Sequence, residues 1–182
     1  MAYYPILVNK WNLLPGDYIP DGLAEPAIPF SAPPGSEKRL MQRTAGKAAV
    51  RLFTQAALDR MGLVGISGYR SYRRQKELYQ DALKRKSQAV APPGASEHQT
   101  GFALDVSCPM VNLELSQEFA DTPEGRWLEK HGPLYGFILR YPRNKQEITG
   151  FPWEPWHIRY VGEPLALYLS MTGLTLEEYH SL

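Results

Sequence analysis

A ten-residue stretch, SEHQTGFALD at residues 96–105, joins a polar turn to the start of an apolar alternation. From Gly101 to Ser107, bulky apolar residues alternate with small or polar ones, and this period of two predicts a β-strand. Because His98 precedes Gly101, we expect the histidine on a loop and Asp105 on the strand. The stretch therefore predicts that these two polar side chains approach each other from different kinds of local structure.

The segments on both sides predict an irregular alternation of helices and short strands. Periodicity and capping signals predict helices at residues 37–61, 71–86, 123–131 and 164–173, and a short final helix that opens with a capping box of Thr175 and Glu178. Short apolar runs predict strands at residues 63–67, 137–141 and 157–161. Residues 109–122 are ambiguous. This mixture is typical of the α+β class.

The first 36 residues differ in composition from the rest. They hold seven of the sixteen prolines, so their backbone should be extended and irregular. They also carry apolar residues that a free tail would lack: Tyr3, Tyr4, Ile6, Leu7, Trp11, Leu13 and Leu14. A chain of 182 residues suits a single domain. We therefore predict that residues 1–36 wrap over a catalytic core formed by residues 37–182.

The composition excludes several classes of protein. No run approaches 18 apolar residues, which excludes a transmembrane helix, and the single cysteine excludes a disulfide framework and a multi-cysteine zinc site. The net charge of +1 argues against a nucleic-acid partner. Residues 37–86 nevertheless contain thirteen basic and four acidic residues. This basic region is either a pair of solvated helix faces or a wall for an anionic partner, such as a peptide carboxylate or a cell-wall polymer.

The first twenty residues, MAYYPILVNKWNLLPGDYIP, do not resemble a secretory signal, because no basic region precedes an apolar one. If Met1 is native, we expect a cytoplasmic protein. If a leader or anchor was removed, we expect a protein outside the cytoplasm, at the cell wall.

A second polar stretch, WEPWH at residues 153–157, adds another histidine and another carboxylate. A catalytic zinc ion takes three protein ligands, often histidines with one carboxylate, and leaves one position for water. His98, Asp105 and His157 could supply these ligands. The metal would lower the pKa of a water molecule towards about 7, and Glu154 is the candidate acceptor of its proton.

Two further groups bear on such a site. In an unbroken strand, Glu154 and His157 would lie on opposite faces, so we expect Pro155 to break the strand and let them converge. Arg70 lies between a predicted strand and a predicted helix, where a cation on a loop can reach a cleft and stabilise a developing oxyanion. The alternative for Arg70 is a solvated surface residue.

Three stretches together resemble a known family. SGYRSYRRQ, SEHQTGFALD and the run YGFILRYP, EITG and WEPWHIRYVG resemble the VanY-type D-alanyl-D-alanine carboxypeptidases. These zinc peptidases are related to the VanXY dipeptidase/carboxypeptidases and to the L,D-carboxypeptidases of the cell wall. The resemblance runs from about Ile6 to the closing TGLTLEEYHSL. It implies a single α+β domain with the hedgehog-like fold of zinc D-Ala-D-Ala peptidases, in which helices flank a small, mainly antiparallel sheet.

The resemblance also implies the residues of the site. The ligands of one catalytic Zn²⁺ ion would be His98, Asp105 and His157. The catalytic base and the arginine that polarises the scissile carbonyl would be Glu154 and Arg70. The residues that help to hold the peptide end would be Gln75, Ser96 and Tyr141. The implied partner is a peptidoglycan stem peptide or a precursor that ends in D-Ala-D-Ala.

The implied reaction is removal of the terminal D-Ala, and three activities stay open: cutting a pentapeptide, a free dipeptide, or a tetrapeptide after its L-centre. A lid formed by residues 86–96 or 143–152 would favour the dipeptide. Trp153, where the family more often has tyrosine, could reshape the pocket wall. Outside this class, the alternatives are a non-catalytic module that binds cell-wall peptides and a structural zinc domain. Glu154 and Arg70 argue against the first, and a set of only three ligands argues against the second.

Overall fold

The computed structural model describes residues 6–85 and 90–182. Its strands, in chain order, are β1 Leu23–Ala24, β2 Met41–Gln42, β3 Val64–Ser67, β4 Ala103–Ser107, β5 Phe137–Leu139 and β6 His157–Tyr160. The first two pair with each other. The other four form an antiparallel sheet in the order β3-β4-β6-β5. The predicted α+β class with a small antiparallel sheet is confirmed.

Helices flank this sheet. The α-helices are α1 Arg43–Leu58, α2 Tyr72–Lys84, α3 Pro123–His131, α4 Gln146–Thr149, α5 Glu163–Thr172 and α6 Leu176–His180. Turns of 3-10 helix cover Glu37–Arg39, Glu97–Thr100, Pro109–Val111, Gln117–Asp121 and Gly132–Tyr135. The ambiguous residues 109–122 therefore contain two of these short turns.

The main core lies between α1 and one face of the sheet. Small and apolar residues of α1, including Ala49, Leu52 and Phe53, pack in one buried cluster with Leu104 and Val106 of β4. Side chains alternate between the two faces of a strand, so the residues between them face the other side. That other face is also covered, because every residue of β4 is buried. The sheet thus has an apolar side towards α1 and a buried polar side.

The predicted helix at residues 37–61 is wrong at both ends. The chain forms a 3-10 turn and then β2 before α1 begins at Arg43. Here Met41 and Gln42 pair with β1, and the Gln42 side chain accepts a hydrogen bond from the backbone of Thr44 and so caps the helix. At the other end Arg60 has a φ of 62°, a left-handed conformation that ends the helix.

The other predicted helices and strands agree with the structure within two residues. The capping box that opens α6 is confirmed. The end of the predicted helix at residue 86, part of the proposed lid at 86–96, and Tyr3 and Tyr4 lie outside the described residues. The second proposed lid, residues 143–152, contains α4.

Residues 6–36 are irregular apart from β1 and lie along the core. Gly65 of β3 donates to the carbonyl of Pro29 and accepts from the backbone of Ser31. Arg159 of β6 donates to the carbonyl of Ile6. These contacts agree with a wrapping segment, while its division from a core at residue 37 stays a prediction.

We find no membrane-spanning candidate among the helices of residues 6–85 and 90–182, because none combines the required length with sufficient apolar character.

Candidate active site

Two of the predicted ligands lie opposite each other on neighbouring strands. In the pairing of β4 with β6, Asp105 is the partner of His157. Directly opposed residues of an antiparallel pair project from the same face. Here this is the polar face, because the neighbouring Leu104 and Val106 point into the core with α1. Asp105 Oδ1 lies 3.0 Å from His157 Nδ1.

His98 reaches the same place from the turn at Glu97–Thr100, as expected for a residue outside the strand. The turn ends at Gly101, whose φ of 72° is left-handed. His98 Nδ1 donates to the carbonyl oxygen of Gly68 at 2.6 Å. Since a carbonyl only accepts, Nδ1 carries the proton and Nε2 presents a lone pair. His98 Nε2 lies 3.2 Å from Asp105 Oδ2.

In His157 the ring nitrogen that faces Asp105 is Nδ1, whereas in His98 it is Nε2. The Nε2 atom of His157 lies 3.5 Å from Glu97 Oε2. One ligand atom from each of His98, Asp105 and His157 lies within 4.8 Å of the others, and all three residues are buried. Two imidazole nitrogens and a carboxylate are the ligand set of a catalytic zinc ion. The residues present therefore fit such an ion.

Burial and mutual charge shift the pKa values of these three side chains. Burial alone would raise the pKa of Asp105, but His98 and His157 outweigh it and hold this pKa well below its usual range. Burial lowers the pKa of His98, against the opposing charge of Asp105. Burial would also lower the pKa of His157, yet hydrogen bonds to Asp105 and Glu97 raise it to about 9. At pH 7, binding of a metal would therefore displace a proton from His157.

Glu154 and His157 converge, as expected from Pro155. The backbone of His157 donates to the carbonyl of Glu154 at 3.2 Å, so Glu154 lies in a turn before β6. Glu154 Oε2 is 3.9 Å from His157 Nδ1. Burial raises the pKa of Glu154 to about 7. The positive charge of His157 opposes this rise, and the negative charge of Asp105 adds to it. Such a carboxylate can gain and lose a proton near neutral pH.

Arg70 follows β3 and lies beside the ligands. Its Nη1 donates to Gln75 Oε1 at 3.0 Å, and its Nη2 is 3.4 Å from Ser67 Oγ and 3.8 Å from Asp105 Oδ2. Gln75 in turn donates to the carbonyl of Ala91 at 2.6 Å. These contacts hold the guanidinium in the site, so Arg70 is not a freely solvated surface residue.

A cavity of about 290 Å³ opens at these groups. Its lining includes all eight residues that the sequence predicted for the site, namely Arg70, Gln75, Ser96, His98, Asp105, Tyr141, Glu154 and His157. The ring of Tyr141 lies 4.9 Å from that of His157, and Trp156 and Phe151 add apolar wall. The structure thus brings the eight residues together.

Three charged residues beneath the site were missed by the sequence analysis: Glu97, Arg140 and Arg159. Their side chains are completely buried and paired with one another. The sequence did contain a sign of these buried charges. Each arginine interrupts an apolar run, FILRY or HIRYV, and Glu97 lies between Ser96 and His98 in the SEHQTGFALD stretch. Charged residues in such runs are rarely buried unless they are paired.

The single cysteine and the other two histidines lie outside the candidate site. Cys108 is a buried free thiol in the core cluster. His131 ends α3, where its ring stacks on Trp127 and its Nδ1 contacts the carbonyl of that residue. His180 is exposed at the end of α6.

Comparison with known proteins identifies the family. The family model described as VanY, D-alanyl-D-alanine carboxypeptidase, matches residues 38–163, more than half of the chain. The chain belongs to the VanY family. The resemblance found in the sequence is confirmed.

Relatives of this VanY-family chain include curated and solved proteins. It is 43% identical to the putative carboxypeptidase YodJ of Bacillus subtilis, over 95% of this chain and 65% of YodJ. It therefore spans just under two thirds of that relative. The LD-carboxypeptidase LdcB is 42% identical with a TM-score of 0.92, over 96% of this chain and 84% of LdcB. A vancomycin resistance D,D-pentapeptidase VanY, solved in complex with Zn(II), is 32% identical with a TM-score of 0.79, over 98% of this chain and 99% of that one.

Proposed function

We propose that this protein is a zinc carboxypeptidase that removes the terminal D-Ala from peptidoglycan stem peptides or their precursors. One observation carries the proposal: a buried set of three metal ligands shares a cavity with a carboxylate whose pKa is about 7 and with a fixed guanidinium. The Zn(II) complex of a VanY relative supports the choice of metal.

The residues divide the reaction between them. A zinc ion held by His98, Asp105 and His157 would supply Lewis acidity and lower the pKa of water towards about 7. Glu154 accepts a proton from the attacking water and returns it to the nitrogen of the departing D-Ala, so its carboxylate is regenerated. Arg70 donates N–H groups to the oxygen of the scissile carbonyl as negative charge develops there.

The space around Arg70 favours a substrate longer than a dipeptide. A second cavity of about 400 Å³ shares Arg70 and Asp105 with the first and is also lined by Lys38, Arg73 and Arg74. Residues that precede the scissile bond can extend into it. The lining also contains Glu37 and Glu77, so its charge is mixed, and its cations can meet a carboxylate of the stem peptide.

Cleavage of a tetrapeptide after its L-centre is the second candidate. The observation in its favour is the similarity to LdcB, an LD-carboxypeptidase, whose fold matches with a TM-score of 0.92 compared with 0.79 for the D,D-pentapeptidase VanY. Both reactions release D-Ala and use the same catalytic groups. They differ in the configuration of the residue that supplies the scissile carbonyl.

The experiment is release of D-Ala by the purified protein from three peptides: a pentapeptide ending in D-Ala-D-Ala, a tetrapeptide ending in D-Ala, and free D-Ala-D-Ala. Each is tested with zinc and with a chelator. We expect release that the chelator abolishes and fastest turnover of one of the longer peptides. Preference for the free dipeptide would instead indicate a VanXY-like enzyme. No release from zinc-loaded protein would contradict the proposal and favour a non-catalytic peptide-binding module.

A further inference from the structure

The buried carboxylate of Glu97 has its two oxygens committed to different partners. Oε1 accepts from Arg140 Nε at 2.7 Å and from Arg159 Nη1 at 2.6 Å. Oε2 faces His157 Nε2 at 3.5 Å. Within residues 6–85 and 90–182, neither of these last two atoms has a hydrogen-bond partner, so each faces the other without a competing contact. The two arginines thus fix the carboxylate with one free oxygen aimed at the ligand histidine.

Carboxylates only accept hydrogen bonds, and the ring of His157 lies between two of them, with Asp105 at Nδ1 and Glu97 at Nε2. If a metal takes the place of the proton on Nδ1, the ring keeps its remaining proton on Nε2, on the side of Glu97. His98 has the reverse arrangement, because the Gly68 carbonyl holds a proton on its Nδ1. Each ligand histidine is therefore oriented by a separate acceptor behind it, and the two acceptors select opposite ring nitrogens.

The charges around Glu97 form a closed network. Arg140 also donates two hydrogen bonds to Glu177, at 2.9 and 2.6 Å, and the four side chains together carry no net charge. A buried ion network contributes little net stability compared with apolar residues of the same volume. The position of Glu97 directly behind a ligand histidine points to a role in orienting that ligand. Carboxylates that accept from metal-bound histidines act in this way.

We propose that Glu97 is a positioning residue that holds His157 with Nδ1 towards the metal, and that Arg140 and Arg159 keep Glu97 in place. The inference rests on the proposed zinc site. Replacement by glutamine keeps the shape but exchanges one oxygen for an NH₂ group. That group must face either the arginines or the Nε2 proton of His157, and neither can accept a hydrogen bond from it.

The test compares the zinc affinities of Glu97→Gln and Glu177→Gln, measured by competition with a chromophoric chelator. Both variants remove one negative charge from the same network, but Glu177 does not contact His157. We expect zinc affinity to fall about 10- to 100-fold in Glu97→Gln and to stay within about twofold of wild type in Glu177→Gln. Equal losses in both variants, or none in Glu97→Gln, would overturn the inference. Absence of zinc binding by the wild type would overturn the proposed function itself.

A second measurement needs no variant and so does not depend on correct folding of Glu97→Gln. A long-range ¹H–¹⁵N correlation spectrum of the zinc-loaded wild type reports which nitrogen of each histidine carries a proton. We expect Nε2–H for His157 and Nδ1–H for His98. A proton on Nδ1 of His157 would refute the role of Glu97, whatever the affinities of the variants.

Discussion

Turnover should depend most directly on Glu154, because no other group beside the ligands combines burial with a pKa near 7 in the part of the chain described here. We expect Glu154→Gln to lower kcat roughly 10²- to 10⁴-fold, since an amide cannot accept the proton of the attacking water. Zinc content should be unchanged, because Glu154 is not among the three ligands. Steady-state kinetics and metal analysis check both statements.

The control for this change is Glu147→Gln, which alters an exposed glutamate of α4. It should leave kcat and zinc content unaffected. Wild-type turnover in Glu154→Gln would remove this residue from the proposed mechanism.

Arg70 tests the other half of the reaction. Lysine keeps the positive charge but loses the planar fork that bonds Gln75 and points at the cavity. We expect Arg70→Lys to lower kcat/KM by about 10²-fold with zinc retained. Arg51→Lys is the matched control, because Arg51 is an exposed residue of α1 that pairs with Glu163. A kcat/KM in Arg70→Lys equal to that of the control would argue against an oxyanion partner at this position.

The proposed metal ligands and the proposed base could be predicted because each lies in a short, recognisable stretch of sequence. His98 and Asp105 lie seven residues apart, and Glu154 lies three residues before His157. Glu97 could not be assigned in the same way. Its state depends on Arg140 and Arg159, which lie 43 and 62 residues away in the chain.

At the scale of elements, the turn before β4 is sensitive to its glycine. A Cβ on Gly101 would lie 2.9 Å from the backbone nitrogen of Gln42, and its φ of 72° already disfavours alanine. Gly35 also has a positive φ but no atom within 4 Å of its Cβ position. We expect Gly35→Ala to lower the free energy of unfolding by about 1–2 kcal/mol and Gly101→Ala by about 1–3 kcal/mol more. Denaturant titration of both variants measures the difference.

The two glycine substitutions should also differ in their effect on zinc affinity. The turn that ends at Gly101 carries His98, so Gly101→Ala should also weaken zinc binding, whereas Gly35→Ala should not. Equal losses of stability in the two variants would show that the contact with Gln42 has no energetic effect.

The elements themselves were predictable where neighbours in sequence decide them. The caps of α3 and α6 are local, and the sequence predicted the bounds of α3 and the capping box that opens α6. The start of α1 was not, because helical spacing continues through Met41 and Gln42 while pairing with β1 draws them into a strand. The strand order β3-β4-β6-β5 likewise follows from contacts that no local pattern contains.

For the whole molecule, the pKa of His157 predicts how stability depends on pH when no metal is bound. This pKa is about 9 in the folded chain and about 6.5 in an unfolded one. The protonated His157 ring therefore stabilises the folded state fully below about pH 6.5. As the pH rises through 9, this contribution is lost and the free energy of unfolding falls by roughly 3 kcal/mol. The raised pKa of Glu154 also makes the folded state less stable as the pH rises, but this effect is complete at about pH 7.

Between pH 7 and 9, chelator-treated protein should therefore unfold at progressively lower urea concentration. His157→Gln removes the titrating ring and should flatten this dependence. A wild-type stability that is constant or increases over the same range would contradict the assigned charge of His157.

The pairing of β4 with β6 also sets the timing of metal uptake. Asp105 and His157 are 52 residues apart in the chain, and only this pairing makes them neighbours. Long-range strand pairing is a slow event in folding, because the intervening loop must close first. A refolding chain should therefore acquire its metal late, after the sheet has formed. Activity during refolding should then lag behind the recovery of secondary structure, even with zinc in excess.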